Sequence, residues 1–168
     1  MEITFSEMRP AHIDHVVEIE KASFPTPWSR QSFSYEVLNN SFARYIVALN
    51  GERVVGYAGM WLILDEAHIT NLAVHPDFRR KSVGRALMLE IMRLAFVSGV
   101  LRIMLEVRPS NMPARHLYSS LGFYEQGLRR RYYTDNGEDA IIMWRDSLFT
   151  ADASKKLNRV LGGSERGY

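Results

Sequence analysis

Residues 69–86 read Ile69-Thr70-Asn71-Leu72-Ala73-Val74-His75-Pro76-Asp77-Phe78-Arg79-Arg80-Lys81-Ser82-Val83-Gly84-Arg85-Ala86. An apolar segment ending at Val74 passes through a proline turn and a basic stretch. It then enters a run whose apolar residues, Leu87, Ile91, Leu94 and Ala95, recur at helical spacing. The pattern is a strand, a turn and a helix in direct succession. The first amides of a helix have no intrahelical partner and carry partial positive charge, so a tight turn at that point cradles an anion such as phosphate. Gly84 admits close backbone approach, and Arg79, Arg80, Lys81 and Arg85 add charge around it. The chain contains neither Gly-x-Gly-x-x-Gly nor Gly-x-x-x-x-Gly-Lys-Ser/Thr, which removes the dinucleotide-binding and nucleotide-hydrolase loops from consideration.

The rest of the chain alternates in the same way. Ile3 to Met8 reads as a strand, and Pro10 opens a helix carrying Ile13, Val16, Val17 and Glu20 at helical spacing. Phe24-Pro25-Thr26-Pro27-Trp28 is a loop, because two prolines forbid a continuous helix, and Ser29 caps a second helix reaching Asn39. Asn50-Gly51 between Arg44–Leu49 and Arg53–Leu64 predicts a hairpin, followed by a turn at Asp65-Glu66. Beyond the helix after the basic turn, which stops near Ser98-Gly99, Arg102 to Val107 is a short apolar strand. Asn111 to Leu121 is a helix closed by Gly122, and Asp135-Asn136-Gly137 joins Glu125–Tyr133 to Asp139–Ser147 in a second hairpin. This is one α/β domain over residues 1–149, with a loosely held tail expected over residues 150–168, where the patterning stops.

Composition sets wider bounds. The 168 residues are 46% hydrophobic and 24% charged, ordinary for a single globular domain. Zero cysteines exclude disulfides, a thiolate nucleophile and Cys-ligated zinc. A net charge of +2 gives no argument for direct nucleic-acid binding, although Arg79–Lys81 and Arg129–Arg131 are local basic clusters. With no long apolar run and no signal-peptide pattern, the expected setting is cytoplasmic, away from membranes. No cluster of metal-ligand type accompanies His68 or His75, so no metal is expected and both histidines read as structural.

Three phrases carry a resemblance: "NLAVHPDFRRKSVGRALM" (71–88), "LEVRPSNMPARHLYSSLGF" (105–123) and "RRRYYTDNGEDAIIM" (129–143). The first resembles the Arg/Gln-x-x-Gly-x-Gly/Ala pyrophosphate loop of the GNAT N-acetyltransferases. Arg79, Gly84 and Ala86 stand at its Arg, its second Gly and the start of its helix. Ser82 occupies the first Gly, a departure that a serine accommodates at negative φ. All three phrases together resemble the bacterial ribosomal-protein-alanine N-acetyltransferases, the RimI type. The resemblance implies a GNAT fold, an α/β (α+β) domain with a mixed, mostly antiparallel twisted sheet of about seven strands and about four helices, splayed where acetyl-CoA binds.

It also distributes roles. Acetyl transfer to an amine needs a group to take the amine proton, fixed donors for the developing oxyanion and an acid for the departing thiolate. Glu106 interrupts the apolar strand 102–107, and the resemblance makes it the base; read from the residues alone, an outward Glu106 paired with Arg102 or Arg108 fits equally well. The resemblance likewise makes Tyr118 the acid, where spacing alone suggests a core aromatic beside Leu117 and Leu121. It turns Asn111 from a helix cap into a cofactor contact, and assigns the Leu72, Ala73 and Val74 backbone to the oxyanion and the pantetheine arm. The turn from Arg79 through Arg80, Lys81, Ser82, Val83, Gly84 and Arg85 to Ala86 grips the cofactor phosphates. Phe24, Pro27, Trp28, Tyr132 and Tyr133 match substrate-facing loops and would wall an extended peptide N-terminus, though they also fit hydrophobic closures; Asp139 is hairpin polarity. The implied acceptor is the N-terminal alanine of a small-subunit ribosomal protein. Lysine or small-amine acetylation on the same fold, or a non-catalytic acyl-CoA-binding or docking module, remain as alternatives.

Overall fold

The computed structural model describes residues 1–147. In chain order the elements are β1 (Ile3–Glu7), α1 (Ile13–Ser23), α2 (Arg30–Leu38), β2 (Ala43–Asn50), β3 (Arg53–Ile63) and β4 (Glu66–Val74). They continue with α3 (Val83–Val97), β5 (Arg102–Val107), α4 (Met112–Ser120), β6 (Tyr124–Arg129) and β7 (Ala140–Asp146). Single 3₁₀ turns at Pro10–His12 and Pro76–Phe78 precede α1 and follow β4. The seven strands form one sheet in the order β1-β2-β3-β4-β5-β7-β6, parallel only between β4 and β5.

Local chemistry sets the element ends. Ser29 Oγ accepts from the Ser32 amide and caps α2, and Asn111 Oδ1 does the same for α4 through the Ala114 amide. Gly51 takes φ +64°, which lets β2 fold back onto β3. Two expected boundaries move. β4 starts at Glu66, and the turn before it is Leu64-Asp65, with an exposed Leu64 at φ +56°. The second hairpin keeps a long loop from 130 to 139, because Arg108 pairs with Asp135 (2.9 Å) and Glu138 (3.4 Å) and holds the loop against the β5–α4 connection. The tail expected from residue 150 lies outside the described residues.

Alternation along the strands sends neighbouring residues to opposite faces and so builds two core layers. Ile46 and Ala48 of β2 pack with Leu87, Met88, Ile91 and Ala95 of α3. Tyr45 and Val47 pack instead with Ile13, Val16 and Ile19 of α1 and Phe33 of α2. Each large side chain so buried contributes about 1.5–3 kcal/mol, which fixes α1 and α3 on opposite faces of β4. Among the described residues no helix is long and apolar enough to cross a membrane.

Candidate active site

The site begins where β4 and β5 part. They pair only over Glu66–His68 and Arg102–Met104, so from Ile69 onward β4 runs without β5 beside it. The register of β4 against β3 shifts at Thr70, between the Gly59–Asn71 and Met60–Ile69 pairs. A tyrosine holds this irregularity: Tyr45 Oη lies 2.8 Å from Thr70 Oγ1 and donates to Asn71 Oδ1 at 2.9 Å. Gly59 makes room for that ring, since a Cβ there would stand 2.1 Å from Tyr45 Cε1. A strand edge freed in this way presents unpaired amides and carbonyls, which an extended ligand can pair.

A cleft of about 330 Å³ opens at the parting, and Glu106, Tyr118, Asn111, Leu72, Phe24, Trp28 and Tyr133 all line it. The Glu106 side chain is 8% exposed. Its Oε2 lies 2.5 Å from His68 Nε2 and its Oε1 lies 3.3 Å from Arg129 Nε. An ionised carboxylate only accepts, so with Glu106 in that form the donor of this pair is His68 Nε2. The outward pairing does not occur: Arg102 binds Glu66 at 3.1 Å, and Arg108 binds Asp135 and Glu138. Each carboxylate oxygen has a second lone-pair direction, so Glu106 retains acceptor capacity toward the cleft.

Tyr118 sits on α4 with its ring 6.0 Å from that of Phe123. Its hydroxyl has no hydrogen-bond partner among the described residues, and none of their side-chain oxygens is both buried and unpartnered, so the hydroxyl is open to the cleft. Burial pushes the phenol up to about 12, which keeps it protonated at neutral pH and able to donate. Asn111 lines the cleft, and its Oδ1 is engaged in capping α4.

The far wall is aromatic. Tyr133 packs under the Arg108 guanidinium (3.8 Å to the ring centroid), and burial pushes its phenol up to about 12 as well. Phe24 and Trp28 form the opposite side, anchored from beneath by Glu20 of α1. Glu20 is 2% exposed; its Oε1 accepts from the Trp28 amide (3.1 Å) and its Oε2 from the Tyr57 hydroxyl. Burial pushes this carboxyl up to about 7. Pro27 and Tyr132 do not line the cleft: Pro27 faces solvent between two residues that do, and Tyr132 packs its ring 5.1 Å from that of Tyr133. Glu138 accepts from the Ser110 amide (3.0 Å) and hydroxyl (2.9 Å) and closes the loop against the start of α4. Asp139 accepts from the Arg131 amide at 2.8 Å and fixes the turn.

The basic turn lies at the other end of the open β4 edge. The Ala73 and Val74 side chains point into the α1 and α3 cores respectively, so only their backbone groups face a ligand. Arg79 is not free to wrap an anion: its guanidinium donates to Val74 O and Ser23 Oγ, each at 3.0 Å, and ties the turn to β4 and α1. Lys81 stands over the Phe78 ring (5.4 Å), Arg85 donates to Ser120 Oγ (3.0 Å), and Arg80 has φ +59°. Ser82 has φ +63° and ψ +16°, so the negative φ that suits a serine is absent. Residues 80 and 82 are both left-handed, and the turn they make delivers the chain to the start of α3, where the amides of Val83 and Gly84 have no intrahelical partner. A Cβ on Gly84 would meet only Val74 Cγ2, at 3.7 Å, so nothing inside the fold requires a glycine there.

His68 is the site residue that pattern reading set aside. A histidine on β4, one strand from a glutamate on β5, was the available signal, but it needs the parallel pairing of β4 with β5. Glu20 gave a weaker one, a carboxylate on the apolar stripe of α1.

A profile of the acetyltransferase (GNAT) family matches residues 13–123. A Bacillus subtilis protein provisionally named a [ribosomal protein bS18]-alanine N-acetyltransferase is 46% identical over 82% of this chain and 91% of its own. The Escherichia coli [ribosomal protein bS18]-alanine N-acetyltransferase is 39% identical over 83% and 95%. The crystal structure of the E. coli ribosomal-protein-S18-alanine N-acetyltransferase superposes with a TM-score of 0.79 at 35% identity, covering 86% of this chain and 94% of that one.

Proposed function

The chain belongs to the acetyltransferase (GNAT) family, and from that premise we propose that it acetylates the α-amino group of a protein, with the N-terminal alanine of ribosomal protein bS18 as acceptor. What carries the reading is one juxtaposition: a buried carboxylate, Glu106, and an unpartnered hydroxyl, Tyr118, face the same cleft where β4 leaves β5. An acceptor that is part of the ribosome puts the enzyme in the cytoplasm.

Acetyl-CoA is the acetyl donor of this family, and when bound it supplies the acetyl group as a thioester. The residues present fit it. The free edge of β4 from Leu72 to Val74 offers amides to an extended arm, and the open amides after Ser82, with the bare Gly84, fit its phosphates. Asn111 lines the cleft, and Lys81 immediately precedes Ser82 in the turn.

Glu106 takes the proton from the acceptor ammonium, directly or through a water. An α-amine with a pKa near about 8 has only one proton to lose at neutral pH. His68 holds Oε2 and Arg129 holds Oε1, so the carboxylate is oriented before the amine arrives; both are positioning residues. The β4 amides are fixed donors for negative charge on the acyl oxygen. Tyr118 Oη gives its proton to the departing sulfur. Trp28, Phe24 and Tyr133 wall the entering chain, and Glu20 sets the loop that carries two of them.

The test is intact-mass analysis of peptides incubated with the enzyme and acetyl-CoA, each peptide offered with its α-amine free or blocked and with or without a lysine. Acetylation only of peptides with a free α-amine is expected. Modification of lysine alone would move the assignment to side-chain amines, and no modification of any peptide would remove the catalytic reading.

A further inference from the structure

A second hollow, of about 470 Å³, adjoins the reaction cleft between α2 and the end of β3. Trp28, Tyr35 and Trp61 wall it, and Glu36 lies at its base. Trp28 lines both hollows, so they adjoin across its side chain. Glu36 is a buried residue whose Oε2 accepts from Trp61 Nε1 and Asn40 Nδ2, both at 2.9 Å. Its Oε1 has no hydrogen-bond partner among the described residues. Because none of their side-chain oxygens is both buried and unpartnered, Oε1 is accessible to solvent, and Glu36 lines both this groove and the hollow bordered by Asn40 and Arg44.

Three aromatic side chains and a carboxylate suit a cation, and among the described residues no lysine or arginine lines the hollow. Among the described residues the cation–π contacts use Phe78, Trp144 and Tyr133, and none uses Trp28, Tyr35 or Trp61. The distance from the reacting amine is short. Glu106 Oε2 is 2.5 Å from His68 Nε2, and the His68 ring is 6.0 Å, centroid to centroid, from that of Trp61. The hollow therefore begins on the order of 10 Å from Glu106, and an extended chain advancing ~3.3–3.6 Å per residue reaches it with its second to fourth residue.

We propose that this groove is a specificity subsite that takes an arginine or lysine side chain of the acceptor, two to four residues from its acetylated end. The proposal rests on the acceptor being a peptide N-terminus, as argued above. A guanidinium or ammonium there lies against the Trp61 and Tyr35 rings with Glu36 Oε1 as its counter-charge, and it sets which protein N-termini are accepted.

The experiment has two arms. In the first, peptides starting with alanine and carrying arginine or glutamine at positions two, three or four are compared by kcat/KM. In the second, their N-acetylated forms are titrated into the enzyme by calorimetry, which needs no turnover. Arginine at one of these positions is expected to raise kcat/KM and affinity roughly 5- to 30-fold over glutamine, the size of one desolvated cation–π contact with its counter-charge. Tyr35→Ala, a change at an exposed position, and Glu36→Gln are each expected to shrink that ratio toward one. An equal response to arginine and glutamine in the wild type, or an unchanged ratio in both variants, overturns the subsite. If no peptide is acetylated, the activity reading fails, and the calorimetric ratio still decides the groove.

Discussion

Ser82→Gly tests the geometry of the basic turn. Ser82 is exposed, sits at φ +63° and ψ +16°, and makes no side-chain cap bond to α3. A left-handed conformation costs an L-residue about 1–2 kcal/mol, and glycine escapes that cost. Glycine also loses about 0.4–1 kcal/mol through the larger freedom of its unfolded chain. The difference leaves a net stabilisation of about 0.5–1 kcal/mol, or a rise in Tm of roughly 1–4 °C for a chain of this length. Urea unfolding gives the measure: the midpoint should rise at unchanged slope. Because glycine holds the same φ, the amides of Val83 and Gly84 stay where they are, and protection against unfolding by acetyl-CoA should be retained. An equal or lower midpoint would mean that residue 82 does not hold a positive φ, and the account of the anion cradle built on it would fall.

Glu20, its carboxyl pushed up to about 7 by burial, binds its proton more tightly folded than unfolded, so the stability it confers below pH ~4.5 is lost as pH rises through 7. Glu20→Gln should remove up to about 3 kcal/mol of that dependence, leaving the variant more stable than the wild type at pH 8 and similar at pH 4.5; parallel unfolding curves for the two proteins would contradict this. Tyr118→Phe should lower turnover by roughly 10²-fold or more while acetyl-CoA still raises Tm, since only the proton donor is removed; a wild-type rate would discard the assigned acid. His68→Leu should lower kcat roughly 10- to 100-fold, the loss of one charge-assisted hydrogen bond of ~1.5–3 kcal/mol, whereas His68→Gln keeps a donor and should recover most of the rate; equal rates in the two variants would make the contact with Glu106 incidental.

What could be read from the sequence was what neighbouring residues decide. The strand–turn–helix at 69–86, the Asn50-Gly51 reversal and the Ser29 and Asn111 caps all follow from short-range rules, and each is present. Glu106 stood out because it breaks an apolar strand. Which way it faced depended on β4 lying parallel to β5, a pairing that brings His68 to it across 38 positions. The sign of φ at Ser82 was illegible for another reason: serine carries no bias toward the left-handed region, so only the closing geometry of the turn sets it. Gly59 gave no signal either, because its role is to pass the ring of Tyr45, a residue of another strand. The loop at 130–139 followed neither its Asp-Asn-Gly signal nor strand pairing, since Arg108 recruits Asp135 and Glu138 from a distance.

The central claim is that Glu106 serves transfer of an acetyl group to a protein's α-amine. Its most direct test is to incubate purified bS18, acetyl-CoA and either the wild type or Glu106→Gln, and to map the modified atom by peptide mass analysis. The account predicts acetylation confined to the N-terminal alanine, at a rate lowered roughly 10²-fold or more by Glu106→Gln in a variant that still binds acetyl-CoA. Acetylation of lysines instead, or an undiminished N-terminal rate in the variant, would contradict it.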